Sequence, residues 1–494
     1  MASSTASIEF HPTSSIERVQ YIERPVTIIS NRAPYQPKRR FGRISYEKTV
    51  SGVISILDEI MSHAGGTWIA WGEGAEVPQN LKFPLDDPKY YLRLIQLTDL
   101  EIRHYYEGFS NRVLWPLSHY FLNRCHFRSE YWEAYQEVNK KFAQVYKELS
   151  EDRDIVWIHD FHLSLLPSLL REEEQRLSIG FFWHIPFPVC PVFRILPWRK
   201  EILLGLLGSD LIGFQVPLHA ENFLQAVEEV LKLPVDRANG SISYDGRVVR
   251  VGVFPIGVDF RKWNGLASSP TVEWKAQQIR EEIGAEHLVL GVDRLDYTKG
   301  IRERLLAYER FLEKNPEFHG RICLVQIAIP SRTQVEEYKV LRREIDEIIG
   351  RIAGRFSTKE WVPLRYLYKG FPLEEMVAYY LAADMALITA LREGMNLVAQ
   401  EYVASARDDG CLILSEFAGV AGILTDAIIV NPYDIEDLSD AIRNSLSMQQ
   451  AEKRSRMERL RQAVRQNDVH WWCQSFLDSL GQVKGENHSA VEGR

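Results

Sequence analysis

From residue 26 onward, short apolar runs rich in β-branched residues alternate with longer segments in which apolar residues recur at three- and four-residue spacing. The first series of runs comprises VTIIS (26–30), IVWIH (155–159), SIGFFWH (178–184), DLIGF (210–214) and VGVFPI (251–256). The second comprises HLVLGVD (287–293), ICLVQIA (322–328), DMALIT (384–389) and CLILSEF (411–417). Continuous rather than alternating hydrophobicity is the mark of strands covered on both faces, as in a parallel sheet. Between them VYKELSEDR, ENFLQAVEEVLKL, RERLLAYERFLEKN, QVEEYKVLRREIDEIIGRI and LEEMVAYYLAA carry helical periodicity. The alternation predicts an α/β protein with doubly wound sheets. Around VFPIGVDFRKWNG the first series stops, and a Gly/Ser/Pro stretch from Gly265 to Pro270 precedes a new helix. Two Rossmann-like domains follow, residues 23–257 and 258–467, with a C-terminal helix over 468–485 crossing back to the first. Residues 1–22, Ser/Thr-rich and broken by charges, are expected to be a flexible tail, and QQAEKRSRMERLRQAVRQND to be a solvated helix face.

Two such domains leave a cleft between the carboxyl ends of their sheets, where ligands of these folds bind. Polar clusters occupy those positions: SNR, HDFH, HIPFP, DRLDYTKG, PSR and LREGMN each follow an apolar run. Composition narrows the occupant. The chain has 494 residues, 45% hydrophobic and 26% charged, with Lys+Arg 59 against Asp+Glu 67 and a net charge of −8. An overall acidic chain is a poor general binder of nucleic acid or anionic membrane, although a local basic pocket is compatible with it. The 5 cysteines are scattered, without a Cys-x-x-Cys pair, so neither a disulfide framework nor a zinc knuckle is written. With no apolar leader and no uncharged run long enough to span a bilayer, a reducing, cytoplasmic setting is expected.

DRLDYTKG (293–300) lies between a strand and a helix and places Arg294 and Lys299 where two cations could hold a diphosphate; an ordinary solvated loop would look the same. Neither a Walker phosphate loop nor a Gly-x-Gly-x-x-Gly turn is present, which disfavours an ATPase or a nicotinamide dehydrogenase. In ALREGMNLVAQEYVAS, Glu393 sits in a loop and Glu401 eight residues on, two turns into the next helix. His159, Asp160 and His162 straddle a strand end without the helical spacing of a zinc motif, and hydrogen bonds to a polyol fit them better. Asp152-Arg153-Asp154 precedes its strand, on the wrong side of the sheet for a cleft metal. Arg32 ends the first strand, and HYYEGFSNRVLWPLSHY (104–120) offers Tyr105, Tyr106 and Trp115; aromatic stripes are usually core, yet these also suit the wall of a sugar site.

In order along the chain, SNR, FSNxxLWPLxHY, WIHDxH, GFFxHIPFP, PIG, RLDYTKG, GMNLVAxEY, LSEFAG and VNPYD closely resemble the trehalose-6-phosphate synthase family, retaining glucosyltransferases of the GT-B fold, from about Val26 to Leu480. The resemblance implies transfer of glucose from a nucleoside diphosphate glucose to glucose 6-phosphate, with no metal and no cofactor. It implies acceptor contacts at Arg32, Tyr106, Trp115, Asp160 and Arg332, the arginines on the 6-phosphate, and places His184 beside the donor sugar. On the donor side it implies Arg294 and Lys299 at the diphosphate, Phe371 near the nucleobase, Glu393 on the sugar hydroxyls, and Leu397, Val398 and Glu401 on the donor helix, with Gly52 in a turn over the donor. Asp160, His184, Arg294, Lys299 and Glu393 form the expected catalytic set.

Three positions depart from the family pattern: Ser51 replaces the first glycine of a Gly-Gly turn, Glu393 an aspartate, and Gln400 a lysine. Glucosylglycerol-phosphate synthase, on the same scaffold, and a catalytically silent sugar-phosphate sensor are the alternative readings. The choice among UDP-, GDP- and ADP-glucose stays open, as does homo-oligomerisation.

Overall fold

The apolar runs pair into two sheets. Ahead of residue 254 lie β1 (Val26–Arg32), β2 (Tyr35–Arg40), β3 (Arg43–Lys48), β4 (Gly66–Trp71), β5 (Lys82–Phe83), β6 (Tyr90–Ile95), β7 (Ile155–His159), β8 (Ser178–Phe182), β9 (Leu211–Phe214), β10 (Val235–Asp236), β11 (Ser241–Tyr244) and β12 (Arg247–Val253). All but the β2–β3 hairpin join a 10-stranded sheet of order β10-β11-β12-β9-β8-β7-β1-β4-β6-β5, parallel from β12 through β6. Beyond it, β13 (His287–Arg294), β14 (Ile322–Ile329), β15 (Leu364–Leu367), β16 (Met385–Ile388), β17 (Cys411–Ser415) and β18 (Ile428–Val430) form a wholly parallel 6-stranded sheet of order β15-β14-β13-β16-β17-β18. The computed structural model describes residues 26–40, 43–49, 52–72, 81–149, 155–332 and 335–492; the expected tail, Ser51 and Asp152–Asp154 lie outside the described residues.

Strand order explains where function can sit. In the first sheet β1 lies between β7 and β4, and in the second β13 lies between β14 and β16, so the helical crossovers diverge there and open a crevice at the carboxyl ends. Arg32 and Asp160 end or follow β1 and β7, while Arg294 ends β13 and Glu393 follows β16.

The chain passes between the sheets after β12 and returns near residue 467. These passages touch: a Cβ at Gly257 would lie 1.8 Å from the Asn467 carbonyl oxygen, so only glycine fits. Past that point the helix Val469–Glu492 lays Trp472, Phe476 and Leu480 on the first sheet. Phe476 stacks on Trp157 with ring centroids 4.8 Å apart. The strands opposite it are hollowed to receive it, since a Cβ at Gly180 or Gly213 would approach the Phe476 ring to 2.7 or 2.8 Å.

Some elements differ from expectation. Of VYKELSEDR only Val145–Lys147 is helical, as the last turn of a longer helix, Ser129–Lys147, whose buried face is set by Trp132, Tyr135, Val138 and Phe142. Strands β4 and β6 were not among the predicted runs. The segment expected to be a solvated helix is the helix Gln450–Gln466, and it buries Met457, Leu460 and Val464 in the second core.

Phe476→Ala should cost about 3–5 kcal/mol, read as a lower urea midpoint with tryptophan fluorescence as the probe. An unchanged midpoint would mean that the returning helix is held by something other than this aromatic stack.

Candidate active site

The first wall of the cleft is built from strand ends and one unusual helix. Ile102–Leu114 winds as a π-helix, entered through a Thr98/Glu101 capping box and closed by the Trp115 N–H reaching back to the Ser110 carbonyl. Such wide turns recur at functional sites. Here the helix presents Tyr106, whose hydroxyl accepts a 2.5 Å bond from Arg32 Nη2. Burial raises the Tyr106 pKa, but Arg32, Arg332 and Arg294 outweigh it and bring the group down to about 8. Asp160, at the end of β7, has φ of 75°, a strained conformation for a residue with a side chain. Its Oδ1 accepts from the N–H groups of Phe161 (3.0 Å) and His184 (3.3 Å), yet burial prevails and raises its pKa to about 7.

His184, after β8, is neutral because burial lowers its pKa to about 3. Gln215 Oε1 accepts from Ile256 N–H at 2.9 Å, which turns its Nε2 towards His184 Nδ1 at 3.2 Å. The imidazole proton therefore sits on Nε2, 3.1 Å from His159 Nδ1. Both ring nitrogens are thus engaged within the protein.

The second wall comes from DRLDYTKG, PSR and LREGMN. Arg294 ends β13 and is exposed, unlike the buried strand residues before it. Lys299 follows in a short turn that closes at Gly300, where φ is 62° and a Cβ would lie 2.1 Å from the Thr389 carbonyl oxygen. Burial, reinforced by the charge of Arg294, lowers the Lys299 pKa to about 8. Lys299 Nζ donates to Glu393 Oε1, and Asn396 Nδ2 donates to Glu393 Oε2 at 2.5 Å. The same Asn396 caps the helix Leu397–Ser405 by accepting from Ala399 N–H at 2.8 Å. Further along that helix Glu401 accepts from Tyr380 at 2.8 Å, and burial carries its pKa up to about 7. Phe371 packs on Tyr379 with centroids 5.1 Å apart, under Lys369 Nζ at 4.5 Å. Val398 packs on the second core.

The walls meet. Arg332, with φ of 46°, lays its guanidinium 4.2 Å from the Trp115 ring centroid, and Arg294 lies 5.8 Å from the same ring. A Cβ at Gly52 would reach Leu397 Cδ1 at 2.6 Å, and one at Gly394 the His184 carbonyl oxygen at 2.2 Å. Gln400 donates to the Ile256 carbonyl at 3.0 Å. The structure thus gathers Arg32, Tyr106, Trp115, Asp160 and His184 opposite Arg294, Lys299, Arg332 and Glu393. Sequence reasoning missed Gln215, Asp296, Tyr338 and Asn396. Asp296 lies inside RLDYTKG, and Asn396 directly ahead of a helix is a residue type that could have signalled a cap, whereas nothing local marks Gln215 or Tyr338. Among the described residues no group of three or more His, Cys, Asp and Glu side chains could hold a metal ion, and no helix is long and apolar enough to cross a membrane.

Two facing doubly wound sheets with a cation-lined crevice between them define a GT-B glycosyltransferase. More particularly, the chain belongs to Glycosyltransferase family 20, whose sequence pattern matches residues 24–482. It is 40% identical over 470 residues to the alpha,alpha-trehalose-phosphate synthase [UDP-forming] of Candida albicans, covering 93% of this chain and 98% of that one. The UDP-forming alpha,alpha-trehalose-phosphate synthase of Burkholderia xenovorans in complex with glucose-6-phosphate superposes with a TM-score of 0.85 at 31% identity, covering 92% of this chain and 100% of that one. A structure described as trehalose-6-phosphate from E. coli bound with UDP-2-fluoro glucose gives a TM-score of 0.84 at 34% identity, covering 93% and 99%.

A diphosphate should bind Lys299 in its charged form. With its pKa near 8, UDP affinity should be level from about pH 7 to 8 and then fall by about tenfold per pH unit as the ammonium loses its proton. Calorimetric titrations in buffers of different ionisation heat would show proton uptake on binding above that pH. Lys299→Arg stays charged and should abolish the break; a break that persists would assign the titration to another group.

Proposed function

We propose that the protein transfers glucose from UDP-glucose to glucose 6-phosphate, forming trehalose 6-phosphate with retained anomeric configuration. The observation that carries this reading is the convergence of cations from both walls: Arg332 and Arg294 lie 4.2 and 5.8 Å from the Trp115 ring centroid, and Arg32, Arg332 and Arg294 all act on Tyr106. Arg294 and Lys299 lie on the second wall at the head of a helix, suited to a diphosphate; Arg32 and Arg332, one from each wall, are suited to a single phosphate on the acceptor. The reading assigns the acceptor chiefly to residues 23–257 with 468–485, and the donor to residues 258–467. Matching relatives named as UDP-forming support uridine as the nucleoside. Unpaired cysteines suit a reducing cytoplasm.

In this mechanism the bond between the glucose anomeric carbon and the diphosphate oxygen breaks while the acceptor hydroxyl approaches the same face. The hydroxyl proton passes to the departing phosphate oxygen, and Arg294 and Lys299 offset the charge that develops there. Glu393, held by Asn396, accepts hydroxyl bonds from the donor sugar, and Asp160 accepts them from the acceptor. His184 stands beside the donor sugar with its ring fixed by Gln215. Phe371, Val398, Leu397 and Glu401 receive the nucleoside, and Gly52 leaves room over the donor helix.

Incubation with UDP-glucose and glucose 6-phosphate in EDTA should yield α,α-linked trehalose 6-phosphate, identified by its anomeric proton signals, with little turnover of glycerol 3-phosphate. A preference for glycerol 3-phosphate would establish the glucosylglycerol-phosphate reading, and tight glucose 6-phosphate binding without turnover would establish the sensor. Arg294→Ala and Lys299→Ala should each lower kcat by about 10²-fold or more. Arg32→Ala should instead raise KM for glucose 6-phosphate far more than KM for UDP-glucose.

A further inference from the structure

Asp296 stands between Arg294 and Lys299 in the donor-side turn, with 1% of its surface exposed. Its two carboxylate oxygens face different partners. Oδ1 accepts from the N–H and the hydroxyl of Thr298, each at 3.1 Å, and so closes the turn that carries Lys299. Oδ2 accepts from Arg332 Nη1 at 2.7 Å and from the Tyr338 hydroxyl at 2.8 Å, while that hydroxyl in turn accepts from Arg332 Nη1. One carboxylate therefore holds both the loop of the donor cations and the arginine of the opposite phosphate site.

The guanidinium of Arg332 is constrained on three sides. Trp115 covers one face at 4.2 Å, and Asp296 and Tyr338 take Nη1. Among the described residues Nε is buried without a hydrogen-bond partner. A guanidinium has a bidentate edge formed by Nε and Nη2, and this is the edge left for a ligand. The strained φ of 46° at Arg332 is the backbone counterpart of that orientation. Asp296 also stays ionised: burial raises its pKa, but Arg332 and Arg294 outweigh this and lower it.

We infer that Asp296, with Tyr338, is a positioning residue for the acceptor: it fixes the Arg332 guanidinium so that its Nε–Nη2 edge receives the acceptor phosphate, and it ties that edge to the turn bearing Lys299. The inference rests on the reading of Arg332 as a contact of the acceptor phosphate. It extends that reading to residues that touch neither substrate and to a physical link between the two sites.

Asp296→Asn is the informative variant. Its amide oxygen can still accept from Thr298, whereas its NH2 group meets Arg332 Nη1 donor to donor, so the turn is kept and the guanidinium is released. KM for glucose 6-phosphate should rise by about tenfold or more, with KM for UDP-glucose within about threefold. The preference for glucose 6-phosphate over unphosphorylated glucose, taken as a ratio of kcat/KM, should fall in parallel. Tyr338→Phe, which removes one of the two contacts and keeps the ring, should shift the same ratio in the same direction by less, and it carries the test if the Asn variant fails to fold. Equal loss on both acceptors, or an unchanged ratio in a folded variant, would overturn the inference. Arg332→Ala separates the two levels. If it leaves the preference for the phosphorylated acceptor intact, the acceptor reading of Arg332 itself fails; if it abolishes that preference while Asp296→Asn and Tyr338→Phe do not, only the positioning role fails.

Discussion

Like charges gathered in a desolvated crevice repel one another, and the cleft of this protein is arranged around that constraint. Arg32, Arg294, Lys299 and Arg332 converge although the chain as a whole carries −8. Arg294 and Lys299 each feel the other cations as a force favouring the neutral form, added to the cost of burial. Three features within the protein offset this repulsion. Trp115 offers a π face to Arg332, Asp296 supplies a buried counter-charge to it, and Glu393 lies against Lys299. Each leaves part of a cation unspent, so the cleft keeps a local excess of positive charge inside an acidic chain.

Because those cations come from both walls, the passages between the sheets matter as much as the site. Gly257 lets the two passages run in contact. Beside it, Ile256 is held at both main-chain groups: Gln215 accepts its N–H and Gln400 donates to its carbonyl. Gln215 also sets the proton of His184, so the linker and a residue of the first wall share one amide. The helix that carries Gln400 is thereby linked to Ile256 through directional bonds, and through Gln215 to the imidazole.

Legibility in the sequence followed the range of the interactions. Strands such as Ile155–His159 and Ile322–Ile329 were readable because burial on both faces leaves an unbroken apolar run. Tyr90–Ile95 was not, because its exposed and partly exposed positions interrupt the pattern. The helix Gln450–Gln466 reads as solvated because its core contact is the single stripe of Met457, Leu460 and Val464 among charges. At the site, residues at strand ends could be anticipated, since strand order alone opens a crevice there. Tyr338 and Gln215 could not: their partners Asp296 and His184 lie 42 and 31 residues away in sequence. The π-helical winding of Ile102–Leu114 likewise has no signature in a periodicity read at ordinary helical spacing.

The family departures inside the described residues follow from the same electrostatics. Gln400 is 2% exposed and uses its amide NH2 to donate to a main-chain carbonyl. An ammonium could make that bond, but it would bring a further buried charge towards a crevice already crowded with cations, at a desolvation cost that the neutral amide avoids. Glu393 works in the other direction. One of its carboxylate oxygens accepts from Asn396, and the other accepts from Lys299 on the same wall. The additional methylene relative to aspartate extends that reach. Gly394, pressed against the His184 carbonyl, fixes the loop from which it is measured. A neutral amide at 400 thus adds no cation beside the cleft, and the carboxylate at 393 sets a negative charge against Lys299.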